Sequence, residues 1–199
     1  MKVVINRVTR LLDDYFKVDE AVFQYEQFDG RMSPPIRRLC YERGDSVAAI
    51  IFDRDRQKVI LVEQFRYPAF RKGEGWTLEL VAGIISPDET AEATLRRELL
   101  EEIGYVIDRL VPIATFLLSP GGSSEQIFLY CAEVTSKGKV AAGGGLRDEG
   151  EDIRVIELSL NELNQRIEKA QIRDAKTLVG VMWLLNRHHR SYGGEAANE

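Results

Sequence analysis

The sequence predicts an α/β fold, a mixed sheet packed between helices and preceded by a small antiparallel β region. Three observations carry this. Residues 46–52 (SVAAIIF) are a near-continuous apolar run, as for a strand buried on both faces. Strand-like segments at 59–65 (VILVEQF) and 76–81 (WTLELV) lead into a helical stripe at Ala91, Leu95, Leu99 and Ile103. Two amphipathic segments, 160–170 and 176–186, close the pattern. Strands with helices placed between and after them make a sandwiched α/β core.

Taken in order, residues 1–43 read as strands. Residues 15–27 (YFKVDEAVFQYEQ) and 36–41 flank the turn signal Asp29-Gly30, and an antiparallel hairpin is the simplest account. Such a hairpin is too small to bury much surface alone, so it must pack on the rest of the chain or on another subunit. Tyr15-Phe16 reads as core, with the second reading that one ring stacks a base. Residues 53–57 make the next turn. Thr90 is the expected N-cap of the first long helix, with Ser86, Pro87 and Glu89 as the competing start, and Gly104 is its left-handed stop. Strands are expected at 110–118, 126–134 and 153–158, with a glycine-rich acidic loop at 137–152. Trp183 falls on the apolar side of the last helix, His188 and His189 at its end as a favourable C-terminal charge. The expected division is a β region over 1–43, a main domain over 44–190 and a disordered tail over 191–199.

Composition narrows the function. A chain of 199 residues suits one domain with a small appendage, and the net charge of −5 argues against general nucleic-acid affinity. Any anionic ligand would then have to be met locally, by a few cations. Cys40 and Cys131 form no CxxC or Cys/His pattern and read as reduced, buried small hydrophobes, a disulfide between them being the open alternative. No apolar stretch of membrane-spanning length and no signal peptide are visible, so a cytoplasmic protein is expected.

The chemistry concentrates in GIISPDETAEATLRRELLEEIGY, residues 83–105. Glu98 and Glu102 are spaced i,i+4 and Glu98 and Glu101 i,i+3, so three carboxylates project from one side of a helix. Clustered like charges destabilise a helix unless a cation sits between them, and close-set oxygen donors suit Mg²⁺ or Mn²⁺. The run resembles the Nudix box, G-x5-E-x7-R-E-U-x-E-E-x-G-U, at Gly83, Glu89, Arg97, Glu98, Glu101, Glu102 and Gly104. Seven fixed residues would match by accident about once in a million chains of this size, at roughly 7% usage each. Tyr105 at the last bulky position is aromatic, a departure expected to alter packing only.

That resemblance implies the α/β/α sandwich of the Nudix family and metal-dependent hydrolysis of a diphosphate joined to another group. Two further segments are similar to the branch of ADP-ribose and nucleotide-sugar pyrophosphatases. They are SPGGSSE, with Pro120 sixteen residues after Gly104, and GLRDEGEDIRV, residues 145–155. The first reads also as a hairpin loop and the second as a mobile surface loop. The resemblance implies two or three Mg²⁺ ions, with Mn²⁺ able to substitute, held by Glu98, Glu101, Glu102, Glu151 and the Ala82 carbonyl. It makes Arg97 an orienting residue, Arg38 and Arg66 binders of the diphosphate, Glu125 a partner of the terminal ribose, and Tyr15 part of the pocket. The water-activating base is Glu149 by the branch and Glu101 by other branches, and the choice stays open. The expected substrate is ADP-ribose, with GDP-mannose or another nucleotide sugar as the alternative. A non-catalytic nucleotide sensor is the reading from a different class. A homodimer with exchanged N-terminal strands is the implied assembly.

Overall fold

The computed structural model describes residues 1–107 and 109–193, without the side chains of Glu149 and of residues 189–193. The chain divides into two compact units, Met1–Asp45 with Leu117–Gln126, and Ser46–Phe116 with the chain from Ile127 onward.

The first unit holds a three-stranded antiparallel sheet, β1 (Val3–Asp13), β2 (Lys17–Tyr25) and β3 (Ile36–Glu42), in that spatial order. The expected hairpin thus gains a third strand. Residues 3–13 are rich in β-branched side chains, but polar insertions break their alternation. The register shifts between Ile5 and Arg7 and again between Arg10 and Leu12, and each shift erases the period-2 signal. Tyr15 and Phe16 lie in the β1–β2 turn, and Tyr15 is 78% exposed, so the core assignment is corrected. Asp29-Gly30 is the turn expected, with Gly30 at φ +83° and its N–H donating to the Gln27 carbonyl at 2.9 Å. Residues 119–125 do more than reverse the chain. The Tyr41 N–H donates to the Gly122 carbonyl at 2.7 Å and the Ser124 N–H to the Tyr41 carbonyl at 3.4 Å, so this segment runs along the end of β3.

The second unit is an α/β/α sandwich. Its sheet has the order β10-β5-β4-β9-β8, where β4 is Ser46–Asp53, β5 Lys58–Phe65, β8 Leu110–Leu117, β9 Gln126–Val134 and β10 Arg154–Ser159. β4 and β9 are parallel, and β4–β5 and β5–β10 antiparallel. The single strand expected over 76–81 is two. β6 (Trp76–Glu79) pairs with β5 and β7 (Val81–Ile84) pairs with β4, with Leu80 between them.

β4 explains the fold. Val47, Ala49 and Ile51 face one layer, with Leu95, Leu99 and Ile103 of α2 (Ala91–Ile103). Ala48 and Ile50 face the other, with Leu163 of α3 (Leu160–Glu168) and Val181 and Leu184 of α4 (Ala175–Gly193). A strand covered on both faces needs apolar residues at every position, which is the run the sequence shows. A short α1 (Tyr67–Phe70), not expected, follows β5.

Thr90 caps α2, its Oγ1 accepting the Ala93 N–H at 3.2 Å, and Gly104 ends it at φ +73°. The Ser86–Glu89 alternative is only a preceding turn, and the Glu89 carboxylate accepts the Thr94 hydroxyl instead. α4 continues to Gly193, so His188 lies more than a turn before its end and the C-terminal charge reading does not apply to it. The His189 side chain and residues 194–199 lie outside the described part. Both cysteines are free; Cys131 is buried as expected, whereas Cys40 is half-buried. Trp183 packs partly buried against the second core layer, under the Arg187 guanidinium at 5.2 Å. Tyr105 does more than fill space, since its buried hydroxyl accepts a hydrogen bond from Arg56 Nη2 at 3.0 Å.

Candidate active site

The turn of α2 places Glu98, Glu101 and Glu102 together, and Arg97 threads among their neighbours. Its guanidinium meets Glu98 Oε1 at 3.0 Å, Glu101 Oε2 at 2.9 Å and Glu89 Oε1 at 3.5 Å. Burial works against the charge of Arg97, but Glu98, Glu89 and Glu101 outweigh it and hold its pKa above the ordinary value. β7 comes so close to α2 that a Cβ on Gly83 would stand 2.3 Å from Glu98 Oε1. Only glycine leaves the Glu98 carboxylate its place. Ala82, the proposed carbonyl donor, precedes it in the same strand.

The carboxylates are held in an environment that resists their charge. Burial pushes Glu98 up to about 7, with Glu101 and Glu151 adding to the rise and Arg97 opposing it. Burial, Glu98 and Glu151 push Glu102 up to about 9, opposed by Arg66. Glu102 is 2% exposed, and its Oε2 is buried without a hydrogen-bond partner. A buried carboxylate oxygen left so is costly unless a cation meets it. Among the described residues no three His, Cys, Asp or Glu side chains already converge as a cage. Glu98 and Glu101 are drawn to Arg97 instead. The donor set, the orphaned oxygen and the cradle at Gly83 fit a hard divalent cation.

The acidic loop is docked on this helix. α2 has no basic residue in its last turn, and its terminal carbonyls are met from the loop. The Gly144 N–H donates to Glu102 O at 2.9 Å, the Gly145 N–H to Glu101 O at 3.1 Å, and Lys139 Nζ to Ile103 O at 2.9 Å. Glu151 Oε2 accepts the Leu146 N–H at 2.9 Å. The mobile-loop reading is therefore replaced by a loop tied to the carboxylate helix. A single 3-10 turn, Arg147–Glu149, carries the expected base. The side chain of Glu149 lies outside the described ones.

Arg66 gives a bidentate fork to Glu79, Nε at 3.1 Å and Nη2 at 3.0 Å, and the Thr77 hydroxyl also donates to Glu79. Burial lowers the pKa of Arg66, but Glu79, Glu102 and Asp174 together raise it above the ordinary value. Glu79 was not singled out from the sequence, although a charge in the apolar segment WTLELV requires a partner and was a readable signal.

Tyr15, Arg38 and Glu125 belong to the first unit. Arg38 is exposed, and its Nη1 donates to the Arg37 carbonyl at 2.9 Å. Glu125 is buried near Arg43 Nε, 3.8 Å away. Arg43 also stands 5.7 Å from the Phe16 ring, which contacts Tyr15 at 4.7 Å and Tyr41 at 5.1 Å. The structure thus joins Tyr15 and Glu125 through Phe16, Tyr41 and Arg43. Arg43 was not among the residues the sequence indicated.

Comparison with known proteins agrees with this geometry. The family model described as NUDIX domain matches residues 42–179. An ADP-ribose pyrophosphatase of Escherichia coli (strain K12) is 38% identical over 197 residues, covering 98% of this chain and 92% of its own. A GDP-mannose pyrophosphatase of Citrobacter koseri is 33% identical over 192 residues, covering 96% of each. A solved structure described as an ADP compounds hydrolase superposes with a TM-score of 0.72 over 97% of each chain at 19% identity, a likeness of fold. With a box helix of this geometry and a family match over most of its length, the chain belongs to the NUDIX domain family and is a Nudix hydrolase.

Proposed function

We propose that the protein hydrolyses the diphosphate of ADP-ribose to AMP and ribose 5-phosphate in the cytoplasm, with Mg²⁺ or Mn²⁺. The observation that carries the metal dependence is the buried, partnerless Glu102 Oε2 beside Glu98 and Glu151. ADP-ribose is favoured by the 38% identical relative that is named for it. Glu98, Glu102 and Glu151, with Glu101 and the Ala82 carbonyl, would hold two or three ions. Bound there, divalent cations neutralise phosphate charge and favour ionisation of a water. Arg97 keeps the glutamates apart and oriented. Arg66, which gives only Nε and Nη2 to Glu79, keeps Nη1 for a diphosphate oxygen. Arg38, Tyr15 and Glu125 receive the nucleoside and sugar ends. Glu149 takes the proton of the attacking water, since a carboxylate off the metal keeps its basicity and the loop brings it near. Glu101 is the alternative, with its Oε2 already engaged by Arg97.

A second reading, GDP-mannose, is favoured by the 33% identical relative named for it. The sensor reading finds no support in a box that keeps every carboxylate. Incubation with Mg²⁺ and ADP-ribose, GDP-mannose, ADP-glucose or NADH in turn, followed by phosphorus NMR, tests the proposal. ADP-ribose should give the highest kcat/KM, with AMP and ribose 5-phosphate as products; cleavage of GDP-mannose alone would transfer the assignment. Glu149→Gln should lower kcat about 10²-fold or more and leave Mn²⁺ affinity unchanged. Full turnover in that variant would move the base to Glu101.

A further inference from the structure

The strand that carries the proposed metal carbonyl changes partner at one residue. β6 pairs with β5 up to Glu79 and β7 pairs with β4 from Val81. Leu80 stands between, and its N–H leaves the sheet to donate to Thr177 Oγ1 at 2.8 Å. Thr177 has no exposed surface. An accepting hydroxyl must still place its own proton, and this one donates to Asp174 Oδ2 at 2.7 Å. The same oxygen accepts the Thr177 N–H at 2.9 Å, as an N-cap does, while Lys176 Nζ holds Oδ1 at 2.7 Å. One turn later α4 closes on Leu80 again, where a Cβ on Gly180 would lie 3.0 Å from Leu80 Cδ1.

We infer that Thr177 is a positioning residue for the catalytic centre. By accepting the Leu80 N–H it fixes the break between β6 and β7. The break sets Glu79, and hence Arg66, on one side and Ala82–Gly83, and hence Glu98, on the other. Without it residues 76–84 would continue as one strand along one partner, and a slip of one residue would reverse every side chain in it. The buried N–H would also lose its acceptor. The inference rests on the assignment of Ala82 and Arg66 to metal and diphosphate.

The test uses Thr177→Val, which keeps the shape and removes the hydroxyl, and Thr177→Ser, which keeps the hydroxyl. Mn²⁺ binding to the substrate-free protein is followed by electron paramagnetic resonance, beside KM for ADP-ribose and thermal melting. Thr177→Val should weaken Mn²⁺ binding about 10-fold or more, in the range for residues that orient ligands from behind, and raise KM. Thr177→Ser should restore both. A folded Thr177→Val protein with wild-type Mn²⁺ affinity and KM, and only a lower melting temperature, overturns the inference. If that variant does not melt cooperatively, Asp174→Asn takes its place, with weaker Mn²⁺ binding expected and unchanged binding fatal. A wild-type protein that binds no Mn²⁺ and cleaves no nucleoside diphosphate sugar would overturn the proposed function itself, and the inference with it.

Discussion

Gly83 decides whether Glu98 can sit where it does, because any Cβ there would meet the Glu98 carboxylate. Gly83→Ala should therefore leave a folded protein that binds Mn²⁺ about 10-fold or more weakly; unchanged binding would remove Glu98 from the site. The same carboxylates set a pH dependence. Glu98 at about 7 and Glu102 at about 9 stand above an unfolded value of roughly 4.3. Between these limits the folded, metal-free protein holds more protons than the unfolded chain, so stability falls as pH rises. Its melting temperature should drop from about pH 5 to pH 9, and Glu102→Gln should remove most of the slope. Mg²⁺ bound at the proposed site would displace those protons and should restore stability more strongly at the alkaline end. A flat metal-free profile would show that the two carboxyls are not buried as described. Residues of this kind were legible because α2 spaces them three and four apart. Arg43 was not legible, since its partner Glu125 stands eighty-two positions away.

Among elements, α2 and β4 were readable from the sequence because their patterns are local: a capped helix with one apolar stripe, and a run with no polar face. The β6–β7 break was not, since the only local sign of it is the adjacent apolar pair Leu80-Val81, where the alternation of WTLEL lapses. The group that breaks it is Thr177, ninety-seven positions along the chain. The acidic loop was partly legible, in composition but not in placement. Three consecutive glycines in it, Gly143 to Gly145, all have positive φ, and the amides of Gly144 and Gly145 reach the end of α2. At Gly145 an added Cβ would stand 2.7 Å from Glu151 Oε2, at a φ of +79° that a side chain disfavours. Gly145→Ala should push Glu151 from its place and lower kcat, while the far-ultraviolet circular dichroism stays that of the wild type. Wild-type kcat would show that Glu151 takes no part.

At the scale of the whole molecule, β1 is a strand without a core. All eleven of its residues are exposed, among them Val3, Ile5, Val8, Leu11 and Leu12 at 49–59%. It stands at the edge of its sheet, so one row of its backbone groups is unpaired. What holds it to β2, besides the ladder, are cross-strand ion pairs, Arg7 with Glu20 at 2.8 Å and Arg10 with Asp19. Each of these pairs has an arginine open to solvent, so they contribute little. A long apolar edge that a native chain leaves bare is an invitation to association, and association with a second copy satisfies it with closure. The protein should therefore run at about twice 22.6 kDa in light scattering. Lysine at both Val3 and Val8 should shift it toward the single-chain mass without unfolding the second unit, whose core contains neither residue. If a second copy contributes to the site, that variant should lose ADP-ribose turnover with its mass, and the loss should be relieved at high protein concentration. A wild-type protein of single-chain mass with full turnover would remove the dimer, and with it any need for exchanged strands.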